Sequence, residues 1–184
     1  MLEFLHKCRI GVTTRTGDLF SMQRTTANGY TFIFDDIDLF LVDSKEWHGI
    51  TDKGLSYIRS CDESIGLHRL IMGLPDCHVD HKDHNGLNNR RSNLRLANNQ
   101  QNQANSRLSK KNTTGYRGVR YAPRKGYLGI NKSKGRKAWQ AQIKINYKSK
   151  YLGSFSTKEE AALAYDAAAL SAFGEFASLN FPRK

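Results

Sequence analysis

Apolar and polar positions follow distinct periods along the 184-residue chain. Between Ala138 and Tyr147 the alternation is strict: Trp139, Ala141, Ile143, Ile145 and Tyr147 fall on one face, Gln140, Gln142, Lys144 and Asn146 on the other. That period predicts a half-buried strand with one core face and one row of hydrogen-bonding side chains. Thr157 with Glu160 three residues on forms a capping box, and Gly174 follows the last apolar turn, so the two bracket a helix of about 16 residues. Six alanines (Ala161, Ala162, Ala164, Ala167, Ala168, Ala169) let it lie close against a three-stranded sheet. Upstream, Tyr30 to Phe34 and Leu39 to Val42 read as strands around an acidic turn (Asp35, Asp36, Asp38), with Asn28-Gly29 as a turn before the first. Between these regions, His78-Val79 delivers Asp80 and His81 at a strand end and Gly86 marks a loop. Leu94 and Leu96 alternate with Arg95 as a second strand would, and Asn98 to Ser106 accommodates a short helix. The expected architecture is α+β. Residues 1–60 form a small N-terminal β-rich module, 61–106 a strand, loop, strand, helix segment, and 107–114 a basic linker. Residues 115–184 form a three-stranded antiparallel sheet packed on one helix.

Composition sharpens this picture. The chain is 39% hydrophobic and contains no apolar run of the ~18 residues a membrane span needs, so a soluble folded protein is expected. The opening MLEFLHKCRI lacks a signal-peptide core with a small-residue cleavage site. Cys8, Cys61 and Cys77 are odd in number and widely spaced, which predicts free thiols in a reducing compartment, the cytoplasm. The net charge of +12 is uneven: residues 1–60 carry 7 basic and 8 acidic side chains, residues 61–110 carry 7 and 5, and residues 111–184 carry 15 and 4. No acidic residue stands between Asp83 and Glu159, while residues 84–158 hold 18 Lys and Arg. Such a field calls for a polyanion rather than a solubility face, in which both signs are interspersed, or an anionic membrane, which would be met by an amphipathic helix.

The chemistry lies between His68 and Asn105. Residues 85–105 contain eight asparagines, poor material for a core and good material for loops and polar sites. A carboxylate with a neutral oxygen donor suits a hard divalent cation, which Asp80 and Asn102 would supply if the helix packs across the hairpin. A histidine next to that carboxylate, with an ordinary pKa near ~6.5, suits removal of a proton from water at neutral pH. His81 takes that role. A zinc site built from Cys77, His81 and His84 is disfavoured by the lack of a CxxC pair. His84 is read as a loop histidine or a phosphate contact. For His68 and Arg69, on a predicted helix, structural, DNA-contact and active-site roles stay open.

The run VDH, then NNRRSNLR, then QN resembles the HNH endonuclease motif in its ββα-metal form, in particular the phage and intron homing-endonuclease branch. The resemblance implies that Asp80 and Asn102 bind one divalent metal, that His81 is the general base, and that Asn93 holds the loop and the histidine in place. Asn102 stands for the last histidine of the motif, a variant that favours Mg²⁺ or Mn²⁺ over zinc. The family's frequent Ile-Asp-Gly after the histidine is Lys82-Asp83-His84 here. In the C-terminal part YRGVR, WQAQI, YLGSF, EEAALAYDAAA and LNF resemble the plant ethylene-response-factor (Apetala-two type) DNA-binding domain over roughly residues 114 to 181. That implies double-stranded DNA as partner. Arg117 and Arg120 match DNA-contacting arginines, Gln142 and Lys144 replace a Glu and an Arg, and Tyr151 replaces a Trp. Gln140 and Lys150 complete the candidate set. With the longer loop from Arg124 to Lys137, these replacements mean that the plant target sequence is not inherited. The expectation is a monomeric, metal-dependent DNA endonuclease with no membrane association and no small-molecule cofactor. The competing expectation is a non-catalytic DNA-binding regulator with a relic nuclease motif; an RNA-binding module is disfavoured by the lack of RRM-like aromatics or a KH loop.

Overall fold

The computed structural model describes residues 10–16, 19–52, 54–122 and 138–182. Cys8 and the loop from Arg124 to Lys137 lie outside them. Contacts divide the chain into two units, residues 1–98 and 99–184, each with its own core.

In the first unit β1 (Ile10–Thr16), β2 (Leu19–Thr25) and β3 (Thr31–Asp35) form an antiparallel sheet in that order. A 3₁₀ turn (Asp36–Asp38) and α1 (Leu39–Asp43) follow. Next come a hairpin of β4 (Trp47–Asp52) and β5 (Leu55–Ser60), α2 (Leu67–Ile71), and a second hairpin of β6 (His78–His81) and β7 (Leu94–Ala97). One core runs from β2 through β7: Met22, Phe32 and Phe34, Val42, Trp47, Ile58, Leu67 and Ile71, Val79 and Leu94 are buried together. The strands carrying Asp80 and His81 therefore share their core with the β-rich segment before residue 60. Asn28 fixes the entry to β3, its Nδ2 donating to the carbonyl of Gly49 (2.8 Å) and its Oδ1 accepting from the Gly49 amide (3.0 Å).

The strand expected at Leu39 to Val42 is a helix. Leu39 and Val42, three apart, face the core, while Phe40 is 82% exposed. A strand would have put Phe40 and Val42 on the same side. Four apolar residues in a row fit either period, and burial of positions i and i+3 decides it.

The second unit contains α3 (Asn99–Ala104), β8 (Val119–Tyr121), β9 (Trp139–Ile145), β10 (Lys148–Phe155), α4 (Lys158–Phe173) and a 3₁₀ turn (Gly174–Phe176). The sheet order is β10-β9-β8, all antiparallel, packed on α4. The Thr157 and Glu160 capping box is formed in both directions, and Gly174 closes the helix with φ +55°. Ala161, Ala162 and Ala169 are buried against the sheet. Tyr147, read as the last residue of the apolar face, is exposed instead. With Asn146 it makes the two-residue turn joining β9 to β10, and both have positive φ (49° and 61°). Such paired left-handed residues match the strand twist in a tight hairpin, so the alternation ends at Ile145.

The C-terminal LNF segment is stitched into this unit. Asp166 on α4 accepts from the Asn180 amide (2.8 Å), Asn180 Nδ2 (3.0 Å) and the Phe181 amide (2.8 Å), while Asn180 Oδ1 accepts from the Arg117 amide (2.6 Å). Gly118, next to it, has φ +71° and lies so close to the Tyr165 ring that a Cβ would sit 2.0 Å from it. Within residues 107–114, Asn112 Oδ1 accepts from the amides of Thr114 (3.1 Å) and Gly115 (2.7 Å), giving this stretch a fixed turn. Among the described residues no helix is long and apolar enough to cross a membrane.

Candidate functional site

The β6–β7 hairpin brings Asp80 opposite Arg95 and His81 opposite Leu94. All three polar side chains lie in a largely dry place: Asp80 and His81 are buried, and the side chains of Asp80 and Arg95 are each 9% exposed. The Arg95 guanidinium donates to Asp80 Oδ2 through Nε at 2.9 Å, and its second nitrogen lies at 2.9 Å from the same oxygen.

His81 Nε2 is 3.3 Å from Oδ1 of Asn89, a residue with no exposed surface. Asn89 Nδ2 donates to the Gly86 carbonyl (3.4 Å), which turns its oxygen toward His81. Nε2 is then the protonated nitrogen and Nδ1 carries the lone pair. Burial pushes the His81 imidazole below its usual pKa, against the opposing pull of the Asn89 hydrogen bond and the charges of Asp83 and Asp80. The ring is therefore neutral, and basic at Nδ1, at pH 7.

The ring of His68, on α2, lies 5.0 Å from that of His81, and Tyr57 is 6.1 Å from both. Burial first, then repulsion from His81 in its protonated form and from Arg69 and Arg59, lower His68 to about 3, and its Nδ1 is buried without a hydrogen-bond partner. His68 is thus a neutral wall of the site. Arg69, beside it, donates to the Cys77 carbonyl (2.9 Å) and holds the loop that enters β6.

The loop between the strands is held from within by Asn93. Its Nδ2 donates to Asp83 Oδ1 (2.9 Å) and to the Asn88 carbonyl (2.8 Å), and its Oδ1 accepts from the Asp83 amide (3.1 Å). Burial pushes the Asp83 carboxyl up, but hydrogen bonds from Asn88, the Asn85 amide and Asn93 outweigh it and hold the group below its usual value. His84 sits at the bend with φ +60°, its amide donating to the His81 carbonyl (3.1 Å). From outside, residues 87–89 lie along β3: the Ile33 amide donates to Leu87 and the Asn89 amide to Ile33 (2.9 and 2.8 Å). Arg91 donates its amide to Asp35 (2.8 Å) and its guanidinium to both oxygens of the fully buried Asp38 (2.7 to 3.2 Å). Gly86 is pressed against β5, where a Cβ would meet the Ser56 carbonyl at 2.3 Å.

Asn102 lies on α3 in the second unit, half-buried. Among the described residues no group of three or more His, Cys, Asp or Glu is arranged to hold a metal ion. The donor chemistry nevertheless suits a hard cation. Asp80 is a buried carboxylate that already has a positive group, the Arg95 guanidinium, against it.

In the second unit, cross-strand register sorts the candidate contacts. Arg120 opposes Gln140 and Tyr151 opposes Gln142, so with Lys144 these five side chains share the face turned away from α4. Ser149 and Ser154, which sequence reading passed over, belong to the same face. Arg120 is bonded to Gln140 Oε1 through Nε (3.1 Å) and a terminal nitrogen (2.8 Å). Lys150 opposes Ile143 and so projects on the other side. Arg117 precedes β8, and its guanidinium is bonded to Ser106 and Ser178 of the same unit.

The composition of the site missed Asn89 and Arg95. Asn89 was one asparagine among eight, and Arg95 stood as a spacer between two leucines. The cross-strand register of the hairpin is the signal that pairs Arg95 with Asp80.

Comparison with known proteins agrees with this geometry. A family model for the HNH endonuclease matches residues 67–104, from α2 through β6 and β7 to α3. An uncharacterized HNH endonuclease of Acanthamoeba polyphaga mimivirus is 34% identical over 159 residues, covering 82% of this chain and 75% of that protein. An ethylene-responsive transcription factor of Arabidopsis thaliana is 45% identical over 58 residues, which is 30% of this chain and 32% of the plant protein. With likeness at that level across most of its length, and the motif carried on a buried, cross-braced hairpin, this chain belongs to the HNH endonucleases.

Proposed function

We propose that the protein is a metal-dependent DNA endonuclease of the homing type, which hydrolyses a phosphodiester bond at His81 and is directed to DNA by its C-terminal sheet. The observation that carries this reading is the Asp80-His81 pair at the end of β6, with the His81 ring oriented by Asn89 and kept neutral by burial. His81 accepts a proton at Nδ1 from the attacking water, while Asn89 retains the proton on Nε2 and so fixes the ring through the transfer. Asn93 keeps the loop rigid behind that ring. Asp80 and Asn102 would hold one divalent cation, Mg²⁺ or Mn²⁺, through their oxygens. Such a cation supplies charge stabilisation for the pentavalent phosphate and the departing 3′ oxygen.

Arg120, Gln140, Gln142, Lys144 and Tyr151 make the face that meets DNA, while Lys150 projects on the other side of the sheet and Arg117 is held on Ser106 and Ser178. A sheet three strands wide bearing Arg, Lys and Gln can enter a major groove and bond base edges as well as phosphates. The plant factor's similarity covers this same region. One site per chain gives a monomer that nicks one strand per event, acting in the cytoplasm of a host cell.

The test is the full-length protein on supercoiled DNA carrying its cognate insertion site, with Mg²⁺, with Mn²⁺ and with EDTA. Nicked product with either ion and none with EDTA is expected. Salt-dependent binding that leaves the DNA intact under both ions would contradict the nuclease reading and favour a regulator.

A further inference from the structure

The ion pair between Asp80 and Arg95 has no part in the mechanism above. Both side chains are 9% exposed, and the 2.9 Å contact is made across directly opposed positions of a two-stranded hairpin. The backbone register therefore holds the two groups at each other, and only side-chain rotation separates them. A buried carboxylate left alone is strongly disfavoured, so Asp80 requires a positive partner at all times. A divalent cation and a guanidinium on one carboxylate repel each other. We propose that Arg95 is the resident counter-ion of Asp80 in the metal-free protein, and that it competes with the divalent cation for this carboxylate and thereby sets the metal affinity of the site.

This rests on the reading of Asp80 as a metal ligand. If it holds, the arginine keeps the carboxylate aimed before metal arrives, and it weakens metal binding by the strength of its own contact. Arg95 is then a positioning residue acting through Asp80. A purely structural role predicts the opposite sign, because loss of a structural brace would loosen the site and weaken metal binding.

The experiment is a Mn²⁺ titration of the full-length protein, with free Mn²⁺ followed by electron paramagnetic resonance, for wild type, Arg95→Gln, Arg95→Lys and Asp80→Asn. Arg95→Gln is expected to bind Mn²⁺ about tenfold more tightly than wild type, a coupling of ordinary size between two sites. Arg95→Lys keeps the charge and gives up the fork, and is expected between the two. Asp80→Asn is expected to lose the site. Affinity of Arg95→Gln equal to or weaker than wild type, with binding lost in Asp80→Asn, overturns the competition and leaves Asp80 as ligand. Wild-type binding by Asp80→Asn overturns both the ligand reading and the competition. If Arg95→Gln does not fold, Arg95→Lys decides: tighter than wild type supports the proposal, equal or weaker overturns it.

Discussion

At the scale of single residues, the site holds two imidazoles with different surroundings, a buried one on His81 and a half-buried one on His68. His81 has a hydrogen-bonding partner in Asn89 and two carboxylates nearby, whereas His68 has a buried Nδ1 without a partner and a second imidazole 5.0 Å away. The difference has a measurable consequence for stability. His68 stays neutral in the folded protein down to about pH 3, while in the unfolded chain it takes up a proton near its ordinary 6.5. Between those values the unfolded state binds the extra proton, so acid draws the equilibrium toward unfolding. Stability should therefore be intact above about pH 6.5 and fall as pH drops below it, by about 1.4 kcal/mol per pH unit for each such histidine. Urea unfolding between pH 7 and 4.5 checks this: His68→Phe is expected to lessen the pH slope by about one proton, and an unchanged slope would contradict it. This behaviour was not legible in the sequence, where structural, DNA-contact and active-site roles for His68 stay open. Its burial depends on Tyr57 and His81, which are 11 and 13 residues away.

At the scale of elements, the loop between β6 and β7 is an unusually well-fastened connection. Asn93 braces it internally, β3 pairs with residues 87–89, and Arg91 reaches Asp35 and Asp38. The acidic turn that sequence reading treated as a simple connection within a β-rich module is therefore an anchor for the loop between β6 and β7. Asp38→Asn removes the charge that faces Arg91 in a fully buried position. Because the Arg91 side chain is 42% exposed, the cost is expected to be modest, about 1–3 kcal/mol by chemical denaturation. A change below about 0.5 kcal/mol would show that the anchor does not matter. Elements with a strong local signal were legible: the capping box and Gly174 marked α4, alternation marked β9, and His78-Val79 marked β6. Leu39 to Val42 was misread because a four-residue apolar run carries no period of its own. Tyr147 was misread because alternation does not announce a turn with two left-handed residues.

At the scale of the whole molecule, charge and chemistry are distributed between two units. Of the net +12, residues 111–184 hold 15 basic against 4 acidic side chains, while residues 1–60 are slightly acidic. Among the described residues of the first unit, Asp38 pairs with Arg91 and Asp43 with Arg24. Of the second unit's basic residues, Arg120 and Lys144 stand on the sheet face turned away from α4. The two dense motifs were visible in the sequence, and the HNH match over residues 67–104 runs across the boundary between the units. What the sequence did not show is that residues before 60 share one core with the Asp80-His81 hairpin. That union rests on residues such as Phe34 and Leu94, far apart in the chain and ordinary in composition, belonging to one buried cluster.

The central claim is that His81, fixed and neutral beside Asp80, is the base of a phosphodiester hydrolysis. It is tested most directly by single-turnover cleavage of cognate DNA in Mg²⁺ by wild type and His81→Ala at equal bound enzyme. A loss of about 10²–10⁴-fold in rate with DNA binding unchanged is the predicted result. Cleavage by His81→Ala within a few-fold of wild type would contradict it.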